Sequence, residues 1–300
     1  MRKQFSLAGA HTALVTPFSQ GTLDETTLIK LIERQIAAGI NGLVPTGTTG
    51  ESPTLTHEEQ LRVIELTIKT TAGRALVIAG TGFNSTSKTR ETTQEAERLG
   101  ADAVMLMLPY YNKPSPQGVY EHFRTVAHAV NIPIVIYDAP GRCGISLTLP
   151  IAERLASDCP NIIAIKDCNA STEHIAKLRE SLPPHFQILS GDDMWTLPFL
   201  KVGALGVISV AANFIPKVIV ELVSLFQSGL LEEAEELHCC LSSFFRDLFI
   251  ETNPVPIKTV MAFRGLLEEE FRLPLLSLSK EHRATLLATL QKLEEILHHR

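Results

Sequence analysis

Lys166 stands at the end of an apolar run, Ile162-Ile163-Ala164-Ile165, with Asp167 and Cys168 behind it. An amine held in apolar surroundings has its pKa lowered, because burial disfavours the charged form. The neutral amine can then attack a carbonyl and form a Schiff base. Alone, the pattern fits an ordinary snorkelling lysine better than a catalytic one. Other polar groups follow comparable runs: Thr48 and Thr49 in "GTTGES", Tyr110 and Tyr111 in "YYNKPSP", Tyr137 and Arg142 in "YDAPGRCG", Asp192 and Asp193 in "SGDD". The set amounts to one lysine, three phenols, a guanidinium and a hydroxyl pair. It holds no metal-ligand cluster and no nucleophilic serine on an elbow.

Each segment also has a plain reading. The "GTTGES" turn could cradle an anion, but its spacing is not that of a Walker loop. A carboxylate-binding turn and a glycine turn capped by threonines both fit it. The tyrosine pair could pack in a core or a subunit interface, and Arg142 could be a solvated loop residue. Two adjacent carboxylates in "SGDD" suit helix capping better than a metal cage. Lys258 in "NPVPIKTV" competes with Lys166, but it falls in a helical segment rather than at a strand end.

The elements that must position these groups are short apolar runs separated by helical patterns. The spacing predicts strands within 11–18, 41–47, 75–82, 103–109, 132–140, 162–167, 186–193 and 206–213. None alternates cleanly between polar and apolar, as expected of a parallel sheet covered on both faces. Between them, Leu28, Leu31, Ile32 and Ile36 form one stripe ending at Gly39. Thr56 and Glu59 make a capping box, and "TSKTRETTQEAERLG" follows the same plan. Eight strands alternating with helices predict a (β/α)₈ TIM barrel over 1–228, with functional groups at the C-terminal strand ends. Residues 229–300 predict a C-terminal helical appendage of three helices. An open doubly wound sheet is the rival, but "TPFSQGTLD" after the first strand is not a glycine fingerprint.

Of the 300 residues, 45% are hydrophobic and 20% charged, which fits a soluble globular protein. A net charge of −6 and a pI near 5.9 argue against nucleic acid or an anionic membrane as partner. Five cysteines without a C-x-x-C pair point to reduced thiols, and no run reads as a signal peptide or a span. A cytoplasmic location is expected.

Taken together, "GTTGES", "AGTG", "PYYNKPS", "YDAPGRCG", "IAIKD", "SGDD", "GVISVAAN" and "NPVPIK" follow the order of one family along nearly the whole chain. The chain resembles the dihydrodipicolinate synthase / N-acetylneuraminate lyase family of class I aldolase-like lyases. The resemblance implies that Lys166 is the Schiff-base lysine for pyruvate and Tyr137 the general acid/base. Thr48 would link Tyr137 to Tyr111, which would enter from an adjacent subunit. Thr49 would hold the pyruvate carboxylate and Arg142 the carboxylate of the second substrate, with Gly191 and Ile208 lining the pyruvate side. Thr48 and Arg142 favour condensation with L-aspartate 4-semialdehyde; the alternative is another pyruvate-dependent aldolase acting on a keto-deoxy sugar acid or N-acetylneuraminate. The resemblance further implies no metal or organic cofactor, and a homo-oligomer, a tetramer built as a dimer of dimers. Asp138, Cys143 and "KDCNAS" depart from the usual pattern. So do Gln60 and Lys88, where lysine-inhibited relatives resemble one another in a histidine and a glutamate beside His57. A cationic Lys88 would repel the ammonium groups of free lysine, so feedback inhibition is expected to be weak or absent.

Overall fold

The computed structural model describes residues 5–298. Seven of the eight apolar runs contain one barrel strand and the first overlaps one that begins two residues earlier: β1 Gly9–Ala13, β2 Gly42–Val44, β3 Leu76–Gly80, β4 Ala103–Met107, β5 Ile134–Asp138, β6 Ile162–Asp167, β7 Gln187–Ser190 and β8 Gly206–Ser209. They pair in parallel, in chain order, and β8 hydrogen-bonds back to β1 to close the barrel. Val44, Ile78, Met105, Val135, Tyr137, Ala164, Leu189 and Ile208 share one buried cluster inside the barrel. Their sequence neighbours Ile136 and Ile165 belong to a different cluster, under the helices. That alternation is the period of two of a strand. It explains why runs buried on both faces carry no polar alternation.

The helices begin and end where local chemistry dictates. The helix Glu25–Ala37 buries Leu28, Leu31 and Ile32, with Gln35 rather than Ile36 completing the buried face. His57–Thr71 opens on the full Thr56–Glu59 capping box. Thr86–Leu99 stops at Gly100, whose φ of 94° is a left-handed conformation that glycine adopts freely. After β8, Pro216–Gln227 leads into Leu231–Asp247, Val255–Phe263 and Lys280–His298. These four helices share a core cluster with Ala10, Leu14, Val207 and Val210, on the β1–β8 side of the barrel.

The first strand is shorter than expected. The chain leaves the sheet after Ala13, and Phe18–Ser19 instead pairs antiparallel with Thr22–Leu23. Gln20 and Gly21 between them have φ of 52° and 79°, as a two-residue hairpin turn with matching twist requires.

Candidate active site

Tyr137 and Lys166 are opposite one another in the β5–β6 register. Both point into the barrel mouth, and Lys166 Nζ lies 4.1 Å from the centre of the Tyr137 ring. Lys166 is 5% exposed, and no described residue hydrogen-bonds its Nζ. Burial is the main force lowering its pKa, and the Arg142 guanidinium adds to it; Cys168, Asp193 and Asp192 oppose. Gly191, after β7, gives the amine its room. A Cβ there would meet Cys168 Sγ at 2.3 Å and Lys166 Cε at 2.9 Å, so a side chain would push the lysine aside.

The Tyr137 phenol is held above its ordinary pKa, chiefly by burial, with Arg142 and the Thr48 hydroxyl pulling the other way. Thr48 Oγ1 is itself buried and makes no well-formed hydrogen bond. A phenol held protonated beside a deprotonation-prone amine can pass protons without becoming a permanent charge.

A cavity of about 420 Å³ opens over these groups. Thr48, Thr49, Tyr137, Arg142, Lys166 and Gly191 all line it, as do Cys168, Asp192, Val210, Phe249, Glu251 and Asn253. Six of the eight expected residues therefore meet in one place. Ile208 does not line the cavity: it is fully buried in the barrel interior below, and Val210 stands at the rim. Tyr111 is 89% exposed, with a φ of 71°, and does not line the chain's own cavity. Tyr110 instead lines an adjoining cavity of about 360 Å³ that shares Thr48 and Arg142.

Asn253 was not singled out from the sequence, yet it connects the two ends of the site. Its Nδ2 donates to Thr49 Oγ1 at 3.0 Å, and its carbonyl accepts from Arg142 Nη2 at 3.1 Å. Its sequence signal is the asparagine that opens "NPVPIK", five residues before the lysine. That lysine, Lys258, is turned away from the cavity and bound to Glu51. Cys168 shares the wall with Lys166, and burial pushes its thiol up to about 12, so it stays protonated at neutral pH.

The "SGDD" carboxylates are structural on one side and open on the other. Asp193 accepts from the Val210 and Ala211 amides at 3.0 and 2.9 Å and from the Ser209 hydroxyl, capping the short turn Ala211–Asn213. Asp192 accepts from the Met194 amide at 2.9 Å and faces the cavity. His57 pairs with Glu95 at 3.0 Å, and the buried Gln60 donates to the Gly80 carbonyl at 3.0 Å. Lys88 Nζ lies 4.1 Å over the Phe83 ring, a wall of the adjoining cavity. No helix among the described residues is long and apolar enough to cross a membrane.

A model of the dihydrodipicolinate synthetase family matches residues 6–293. A 4-hydroxy-tetrahydrodipicolinate synthase of Pelobacter propionicus is 47% identical over 94% of this chain and 97% of the relative. One from Aquifex aeolicus is 45% identical over 95% and 97%. Among solved structures, the 4-hydroxy-tetrahydrodipicolinate synthase of Methylacidiphilum fumariolicum SolV superposes with a TM-score of 0.97 at 45% identity, covering 98% of each chain.

Proposed function

The chain belongs to the dihydrodipicolinate synthetase family, and from that premise we propose that Lys166 is the nucleophile of its reaction. The enzyme is a lyase that condenses pyruvate with L-aspartate 4-semialdehyde to 4-hydroxy-tetrahydrodipicolinate, on the path to diaminopimelate and lysine. The observation that carries the assignment is the buried Lys166 amine, free of hydrogen bonds, beside the Tyr137 ring.

The neutral Lys166 amine attacks the ketone carbon of pyruvate, and the carbinolamine loses water to give a protonated imine. The imine withdraws electrons, so a methyl proton leaves and an enamine forms. The enamine carbon bonds to the aldehyde carbon of the semialdehyde. Its amino group then displaces Lys166 from the imine carbon, closing the ring and freeing the lysine. Tyr137 moves the protons, a role worth about 10²–10⁴-fold in rate. Covalent catalysis by the amine needs no organic cofactor.

Thr49, braced by Asn253, receives the pyruvate carboxylate. Arg142 is fixed from behind by the Asn253 carbonyl and offers its planar fork to the second carboxylate, a bidentate task an ammonium performs poorly. The exposed Tyr111 supports assembly with a second copy, whose site it would complete next to Thr48. A dimer of such dimers is the proposed assembly, and the cytoplasm the proposed location.

Borohydride added with pyruvate tests the assignment. Peptide mass analysis is expected to place the reduced adduct on Lys166; adduct on Lys258 would overturn it.

A further inference from the structure

Beyond this reaction, we propose that Asp138, Asp167 and His174 form a binding site for a divalent cation of the zinc class on the outer side of the barrel wall. Asp138 and Asp167 directly follow Tyr137 and Lys166 and face each other in the next register position. Period-two alternation turns them away from the catalytic cavity. Together with His174, on the helix Thr172–Ser181, they offer three donor atoms within 4.8 Å of one another.

Two further observations point to a ligand. Asp138 has no solvent exposure, and while its Oδ2 accepts from Ser146, Leu147 and Asn169, its Oδ1 has no partner. His174 Nε2 lies 3.2 Å from Asp167 Oδ2 without the alignment of a hydrogen bond. Among the described residues, no lysine or arginine forms an ion pair with either aspartate.

One imidazole and two carboxylates suit zinc, cobalt or manganese better than magnesium or calcium, which favour all-oxygen shells. The Asn169 amide nitrogen now sits against both carboxylates, at 3.0 and 2.8 Å. Turned over, it presents an oxygen to the same place. His174 is partly exposed and gives an ion a way in.

The test is calorimetric titration of the untagged full-length protein with Zn²⁺ alone. One ion per chain is expected, with affinity at least about tenfold weaker in the near-isosteric variants Asp138→Asn and His174→Gln, since even losing an outer partner of a ligand costs ~10–100-fold. Circular dichroism checks that both variants fold. The exposed Cys239 and Cys240, beside His238, are the competing site, and a Cys239→Ser/Cys240→Ser variant is expected to bind as before. Co²⁺ in the unaltered protein separates the two without substitution. Weak visible bands alone support the carboxylate–imidazole site, and intense near-ultraviolet thiolate bands would overturn it. No uptake, or uptake lost only with the cysteines, would overturn it as well.

Discussion

Lys258 Nζ lies 2.6 Å from Glu51 Oε1, and neither side chain is exposed to solvent. The carbonyls of Thr16 and Glu270 accept from the same ammonium, at 3.1 and 2.7 Å. Glu51 has a φ of 54° and follows the "GTTG" turn that carries Thr48 and Thr49. A left-handed glutamate is an unusual way to end a turn. Its carboxylate is nevertheless aimed at an ammonium from the C-terminal helices, so those helices hold the turn that carries Thr48 and Thr49 in shape.

Removing one member of a buried ion pair leaves the other charge without compensation, at a cost of about 3–5 kcal/mol. Glu51→Gln is expected to lose that much stability by urea unfolding, and Lys258→Met a similar amount. The double variant should lose clearly less than the sum. Strict additivity would show that the two charges are not coupled.

Arg142 bears on the amine as well as on the second carboxylate proposed for it. Its positive charge helps burial to lower the Lys166 pKa. Arg142→Ala therefore lets Lys166 hold its proton to higher pH. Because only the neutral amine attacks, the acid limb of kcat/KM for pyruvate is expected to move toward alkaline pH, while KM for the semialdehyde rises. A pH–rate profile with an unmoved acid limb would refute the electrostatic part.

Tyr111 is exposed on its own chain, and the role proposed for it lies in the site of a second copy. Tyr111→Phe and Lys166→Ala proteins are each expected to be nearly inactive. Unfolded, mixed and reassembled, they should regain part of the activity, because some mixed pairs contain one intact site. Verified hybrids without turnover would argue against a shared site.

Lys88 is the residue proposed to weaken inhibition by free lysine. With its ammonium over the Phe83 ring, it adds positive charge beside the adjoining cavity. Initial-rate assays are expected to show little inhibition by millimolar lysine, and Lys88→Glu should increase sensitivity. Potent micromolar inhibition of the unaltered enzyme would contradict this.

Strand order and the meeting of Lys166 with Tyr137, Thr48 and Arg142 were legible in the chain because they depend on local signals. Apolar runs mark the strands, and a barrel gathers their ends. The Gln20–Gly21 turn is masked in the sequence by the apolar run, which continues through Phe18. Ile208 belongs to the barrel interior, with Val210 among the cavity-lining side chains, and a sequence gives no depth along a barrel axis. The Asn253 contacts to Thr49 and Arg142, and the Lys258–Glu51 pair, join residues more than a hundred positions apart. No periodicity announces such contacts.

The seam between β8 and β1 places Gly206 against Gly9 so closely that a Cβ on Gly206 would fall 2.0 Å from the Gly9 carbonyl oxygen. The last barrel strand to leave the ribosome is thus the partner of the first. At ~5–20 residues per second, one flank of Gly9–Thr12 stays uncovered for roughly 10–40 s, with backbone amides available to any passing strand. Crowded synthesis, rather than heat, is then when this barrel is most exposed to mispairing.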